Sequence, residues 1–353
     1  MKAIAINNFG APNNVFETID YPIPTISKNE ILIKVKATSI NPIDYKMRGG
    51  HLPHLISSFP AVLHGDVSGI VEQAGSAVTE FKAGDKVYGC IGAVNGTNGA
   101  LAEYTKADFR LLSKMPQNLS FKEAAAIPLV GITAYEAIFQ RAKIRPGQNV
   151  LIYGGVGGVG HLAVQFAKVL GASVYATVSN EQQAETVKRL GADDTINYKK
   201  ETVEEFVNKH TDGKGFDVVF DTIGNQNLYN SFKTVKIKGT VVTVLSLDTI
   251  DISLLHEKAL SFHTVYMIIP ILYNDEKGMQ EHGHILKHIT GLVEQGKVKP
   301  LIDGREFTVD QVAEAHSYAE AGRNTGKIVL LHNEQAICTD YFHPAVQHER
   351  IGN

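Results

Sequence analysis

"VLIYGGVGGVGHLAVQFAKVL", residues 150–170, sets five glycines between two apolar runs. The first run, residues 150–153, is short, aliphatic and bounded by glycine, which predicts a buried strand. The second places Leu162, Phe166 and Leu170 at helical spacing. The turn between them reads Gly155-x-Gly157-x-x-Gly160. Glycine at the first position permits a tight turn, at the second lets backbone approach a pyrophosphate, and at the third lets helix pack closely on strand. The helix N-terminus then presents unpaired N–H groups and the positive end of its dipole to phosphate. Isolated glycine patterns of this kind are often plain loops. This one sits in the strand–turn–helix context that nucleotide binding requires, so it predicts a dinucleotide site on a doubly wound α/β sheet.

The next strand end, "ASVYATVSN" (residues 172–180), bears on which dinucleotide. An NAD site places Asp or Glu about 20 residues past the glycines, on the ribose hydroxyls. Here no acid precedes Glu181, while Ser179 and Asn180 offer neutral donors. A carboxylate would repel a 2′-phosphate, so its absence favours NADPH; Glu181 leaves NADH open. Lys188 and Arg189 lie two turns down the following helix, where a solvated face accounts for them.

The whole chain bounds the rest. Its 353 residues predict two domains, and the formal charge of −3 shows no basic excess for nucleic acid. The N-terminal "MKAIAINNFG" has no apolar stretch of export-signal length. "TVYMIIPILY" (264–273) is too short, and interrupted by proline, to cross a membrane. Only Cys90 and Cys338 are present, so neither a disulfide framework nor a four-cysteine zinc site is available. A cytoplasmic protein is expected.

Along the chain, residues 1–125 read as mostly β, with alternating segments such as "ILIKVKATSI" and "DKVYGC" between Gly, Pro and Asn turns. "SFKEAAAIPLVGITAYEAIF" (120–139) reads as helical: Ser120 and Glu123 form a capping box, and Pro128 breaks or kinks the segment. From about residue 148, strands "NVLIYG", "SVYATVS", "TINY", "DVVFDTIG", "GTVVTVL" and "SFHTVYMII" alternate with helices, implying a doubly wound parallel sheet. The apolar last strand would be a sticky edge if bare, which predicts pairing with a second copy as a homodimer. A long helix follows, ended by Gly296, and the last strand and helix are expected to rejoin the first domain. The organisation expected is therefore 1–125 rejoined by 269–353, around a nucleotide domain at 126–268. Residues 332–353 carry little periodicity.

Several stretches, in order, resemble the medium-chain dehydrogenase/reductase superfamily, in particular its zinc-free quinone oxidoreductases (zeta-crystallin-like) and enone reductases. They are "SINPIDYKMRGG", "HGDVSGIVEQAGSAVTEFKAGDKVYG", "GALAEYTKA", "EAAAIPLVGITAYEAI", the glycine stretch, "LGADDTINY", "FDVVFDTIG" and "GRNTGKIVL". The resemblance covers residues 1 to about 331. It implies a GroES-like catalytic domain around a Rossmann domain, with the site in the cleft between them. In zinc-using relatives a cysteine falls near Asn41, a Gly-His-Glu near His64-Gly65-Asp66, and a third ligand near Leu129 or Val130. An amide, a glycine and aliphatics stand there instead, so no catalytic metal is expected. His284 and His288, at i, i+4, read as an amphipathic helix face. Without a Lewis acid, hydride delivery to a quinone or a conjugated enone is easier than alcohol oxidation, because a hydrogen-bond donor suffices for the oxygen that gains charge.

The loop "NPIDYK" supplies the expected catalytic residues Asn41, Tyr45 and Lys46, the last two as candidate donors to that oxygen. Asp44 is open between function and a helix cap. On the cofactor side, Gly155, Val156, Gly157, Gly158, Val159 and Gly160 are expected at the pyrophosphate, and Ser179 and Asn180 at the 2′-phosphate. By resemblance, Tyr198 lies at the adenosine phosphate and Thr133 near the nicotinamide, with strand-end packing and a helix-interior threonine as the alternatives. Thr222 and Ile223 follow the fourth strand, where backbone passes the adenine and ribose, and Leu245 and Ser246, ending the fifth, are candidate partners of the carboxamide. Related NADPH enzymes often carry lysine where this chain has Gln183. The reading that results is a zinc-independent NADPH-dependent quinone or enone reductase. An enoyl-thioester reductase and a non-catalytic NADPH-binding protein are the alternatives. Gly157→Val is expected to abolish nucleotide binding by blocking backbone approach; fluorescence titration giving the unaltered affinity would contradict the loop's assignment.

Overall fold

The computed structural model describes residues 1–245 and 249–332. Strand Asn149–Tyr153 leads through the glycines into helix Gly160–Val169. A Cβ at Gly160 would lie 2.1 Å from the Gly154 carbonyl oxygen, so the helix can close on the strand end only because no side chain intervenes. That closeness drives Leu162 and Phe166 fully into the core. Each such burial is worth roughly 1.5–3 kcal/mol.

Five further strands complete a parallel sheet: Ser173–Val178, Asp194–Asn197, Phe216–Asp221, Val235–Thr243 and Ser261–Thr264. Counted along the chain, they lie across the sheet in the order 3-2-1-4-5-6, and every neighbouring pair is parallel. The order reverses between the first and fourth strands, and a ligand crevice is expected at their carboxyl ends.

The second large sheet is built around strand Glu30–Ser39, which pairs antiparallel with Asp66–Ala74, with Tyr104–Asp108 and with the late strand Val329–Leu331. Lys86–Cys90 and Leu112–Lys114 extend one side, and Phe307–Thr308 closes the other. The chain thus leaves this sheet for the parallel one and returns to it. A three-stranded sheet, Phe16–Asp20, Lys2–Ile6 and Ala61–Val62, stands beside it. Helix Glu276–Glu294 packs on this half, where Tyr88 donates its hydroxyl to the Leu286 carbonyl at 2.8 Å.

Local signals account for the helices between the sheets. The Ser120–Glu123 capping box opens helix Phe121–Ala125, and Pro128 starts a new helix, Pro128–Tyr135. Proline suits a first turn, where its missing N–H costs nothing. The break expected at Pro128 thus divides the segment into two helices, the second continued by π-helical turns over Glu136–Arg141. The expected strand "SFHTVYMII" is shorter than its apolar run: only Ser261–Thr264 joins the sheet, and a helical turn at Ile269–Leu272 follows. Pro270 favours that turn, and Ile268 and Ile271 bury themselves in the main core rather than along the sheet. Among the described residues, no helix is long and apolar enough to cross a membrane.

Candidate active site

At the reversal point the strand ends open into a cavity of about 890 Å³. One wall is the glycine turn, contributing Gly154, Val156, Gly157, Gly158 and Val159; Gly155 lies behind it, where a Cβ would meet Ala176 at 2.7 Å. The turn is held by Thr177, whose hydroxyl accepts from the Gly154 N–H at 2.9 Å. A Cβ at Gly157 would meet only the Gly154 oxygen, at 3.2 Å, and otherwise open space. Backbone bared in this way at a helix N-terminus fits a pyrophosphate.

The far end of the cavity is lined by Gln183, Tyr198, Glu201 and Thr202. Ser179 and Asn180 do not line it; they are bound up with Gln183. The Ser179 N–H and hydroxyl both donate to Gln183 Oε1, at 2.8 and 2.9 Å, and Asn180 caps the following helix by accepting from the Gln183 N–H. Gln183 thus brings to this end of the cavity an amide whose oxygen is already engaged by Ser179, and not a cation. Tyr198 is 57% exposed at its strand end. Glu201 brings a carboxylate to this end, paired with Lys209 at 3.0 Å. Thr222, Ile223 and Leu245 line the middle of the cavity, and the Thr222 hydroxyl donates to the Tyr153 carbonyl at 2.6 Å. Thr133 does not line the cavity; its hydroxyl donates to the Leu129 carbonyl one turn back. Ser246 and the tail from residue 333, with Cys338, lie outside the described residues.

The opposite wall carries Ile40, Asn41, Pro42, Tyr45 and Lys46. Asn41 caps helix Pro42–Arg48 in a box with Asp44, whose carboxylate accepts the Asn41 N–H at 2.7 Å. One turn of helix then turns Tyr45 and Lys46 to the cavity. Burial, with Glu320 and Asp44 nearby, raises the Tyr45 pKa, so its hydroxyl keeps its proton. Asn41 itself is buried with its carboxamide engaged: Nδ2 donates to Asp66 Oδ2 at 2.7 Å, and Oδ1 accepts from Lys327.

Sequence reasoning did not single out Lys327. Its one signal was a lysine heading the apolar closing run "GKIVLL". Its ammonium also donates to the Ile40 carbonyl at 2.7 Å and lies 3.4 Å from Asp66 Oδ2. Asp66 further accepts from the Ser39 hydroxyl at 2.7 Å and the Leu129 N–H at 2.8 Å.

These residues do not fit zinc. Asp66 is saturated by donors, the amide of Asn41 is engaged, and Leu129 offers only backbone. His64 faces His316, Nε2 to Nε2 at 2.9 Å. Burial holds His64 well below its usual pKa and His316 down to about 3, so both rings are neutral. His288 accepts or donates at the Tyr135 hydroxyl, 2.9 Å away, and His284 faces Gln280. Among the described residues, no group of three or more His, Cys, Asp or Glu could hold a metal ion.

Family models described as "Alcohol dehydrogenase GroES-like domain" and "Zinc-binding dehydrogenase" match residues 27–117 and 190–330. A 2-methylene-furan-3-one reductase of Solanum lycopersicum is 38% identical over 94% of this chain and 79% of its own. An NADPH-dependent alkenal/one oxidoreductase, chloroplastic, of Arabidopsis thaliana is 35% identical over the same shares. The crystal structure of Escherichia coli quinone oxidoreductase complexed with NADPH superimposes with a TM-score of 0.82 at 26% identity, over 94% of this chain and 100% of that one.

Burial, opposed by the Asn41 N–H and reinforced by Asp66, pushes the Asp44 carboxyl up to about 7. Between pH 3.8 and about 7 the native state therefore holds a proton that the unfolded chain has lost, so this group's contribution to stability falls as pH rises through that window. Asp44→Asn keeps an acceptor for the Asn41 N–H and has no such proton. Its Tm relative to the unaltered protein is expected to climb from pH 4 to pH 7, and a pH-independent difference in thermal melts would refute the assignment.

Proposed function

The chain belongs to the medium-chain dehydrogenase/reductase superfamily, among its quinone oxidoreductases and enone reductases, and we propose that it reduces quinones or α,β-unsaturated carbonyls with NADPH, unaided by a metal ion. The observation that carries this reading is one cavity lined by both the bare glycine turn and the Tyr45–Lys46 pair. A bound reduced nicotinamide supplies the hydride. The chain's own residues do the rest. Gly157 and Gly158 present backbone to the pyrophosphate, and helix Gly160–Val169 offers its N-terminus. Ile40, Val130 and Ile328 make an apolar floor that keeps water from the reacting face. Tyr45, held protonated, and Lys46 donate to the acceptor oxygen as negative charge gathers on it, where a donor is worth most. Asn41 is assigned to shaping the loop, since its amide is already engaged.

The preference for NADPH rests on the missing carboxylate after the second strand and on the cofactor in the relatives' names; Gln183 and Glu201 make that end less cationic than a phosphate would favour. The same proposal takes the protein as a cytoplasmic homodimer. Ser261–Thr264 is an edge strand with one neighbour, and Tyr266, Ile269 and the 76% exposed Tyr273 stand bare beside it. A second copy laid on that edge would pair the strand and cover the apolar surface. Cys90 is a buried free thiol, as suits a reducing compartment.

The reading is tested by following nucleotide oxidation at about 340 nm with quinone, short enone and enoyl-CoA panels, using NADPH or NADH, with and without chelator. Chelator-resistant turnover of quinones or enones is expected, and Lys46→Met should lower kcat/KM about a hundredfold. Tight NADPH binding with no turnover on any panel would favour a binding protein instead. Light scattering is expected to give twice the chain's 38.4 kDa; a monomer at all concentrations would overturn the dimer.

A further inference from the structure

Lys327 is 3% exposed, an unusual place for an ammonium, which loses strong hydration when buried. All of its donor capacity is directed: to the Ile40 carbonyl, to Asn41 Oδ1 and toward Asp66 Oδ2. Burial pulls its pKa down while Asp66 and Asp44 pull it back up. The backbone on either side of it is equally engaged. Gly326 donates its N–H to the Val156 carbonyl of the glycine turn at 2.8 Å, and the Ile40 N–H donates to the Ile328 carbonyl at 3.0 Å. The Lys327 stem also packs on that turn, since its Cδ would stand 3.3 Å from a Cβ at Gly158. Three consecutive residues therefore touch both the nucleotide wall and the loop that starts the Tyr45–Lys46 helix.

Lys327 is among the residues that line the cavity, but its donors are taken up by Ile40, Asn41 and Asp66, so it acts on the reaction through what it holds. Asn41 is the N-cap of helix Pro42–Arg48, and a shift at the cap moves every side chain on the first turns. Asp66 passes the constraint to a second element: it accepts the Leu129 N–H at the start of helix Pro128–Tyr135, whose Val130 meets Gly158. We propose that Lys327 is a positioning residue that locks the Asn41 cap to the glycine turn, and so sets where Tyr45 and Lys46 stand relative to the hydride donor.

This inference rests on the reductase reading, and its test separates the two. Lys327→Met leaves Asp66 uncompensated, so the neutral pair Lys327→Met/Asp66→Asn is made beside it. In the double variant, NADPH affinity is expected to stay within about twofold, because backbone holds the pyrophosphate. Acceptor turnover should fall about a hundredfold, the loss that a misplacement of about 1 Å produces. Amide hydrogen exchange over residues 42–48 should quicken. Unchanged exchange there, unchanged kcat, or a loss confined to NADPH affinity would overturn the proposal. Failure of both variants to fold would overturn it too, leaving Lys327 a purely structural residue. If the unaltered protein reduces none of the acceptors, the reductase reading fails, and exchange over 42–48 alone decides the role of Lys327.

Discussion

One carboxylate holds the two halves of the cleft in register. Asp66 is fully buried, and it gathers four donors from three stretches of chain: Ser39 and Asn41, Leu129, and Lys327. An isolated charge so placed would be too costly to keep. With an ammonium 3.4 Å away and three hydrogen bonds, it becomes a neutral, satisfied knot. Such a knot contributes little net stability against an apolar alternative, but it tolerates only one arrangement of the segments it joins. The architecture of the cleft follows from that restriction.

The histidines around the cleft obey the same economy of charge. His64, His161 and His316 are buried and His332 is half-buried, and desolvation holds all four below their usual pKa. None adds positive charge near Lys327 at neutral pH, so its buried ammonium faces the Asp44 and Asp66 carboxyls without competition from them. Asp44, pushed up to about 7 by burial, gains or loses its proton close to neutral pH.

Much of this was legible in the sequence where the causes are local. The glycine turn, the Ser120–Glu123 box and the break at Pro128 depend on residues within a few positions of one another, and the structure forms each of them. The alternation of strand and helix fixed the parallel sheet in the same way. The last strand is shorter than its apolar run because such a run can face a core as well as a sheet, and Pro270 marks where the sheet is left. Lys327 was invisible for a different reason. Its partner Asp66 is 261 residues away, and nothing near "GKIVLL" announces that contact. Ser179 and Asn180 had the right chemistry, yet Gln183 draws them to itself, a competition that residue types alone do not reveal.

The return of the chain to its first sheet has a consequence for biosynthesis. Translation delivers the N-terminal strands early and the parallel sheet next, each with enough apolar surface to collapse as it emerges. The strand Val329–Leu331 and the lysine ahead of it come last of the described elements. Until the ribosome releases them, Asp66 waits without its counter-charge and the cap at Asn41 hangs on half its bonds. A nascent chain can thus build its nucleotide platform well before it owns a finished pocket, and the competence of the cleft waits on residues 326–331.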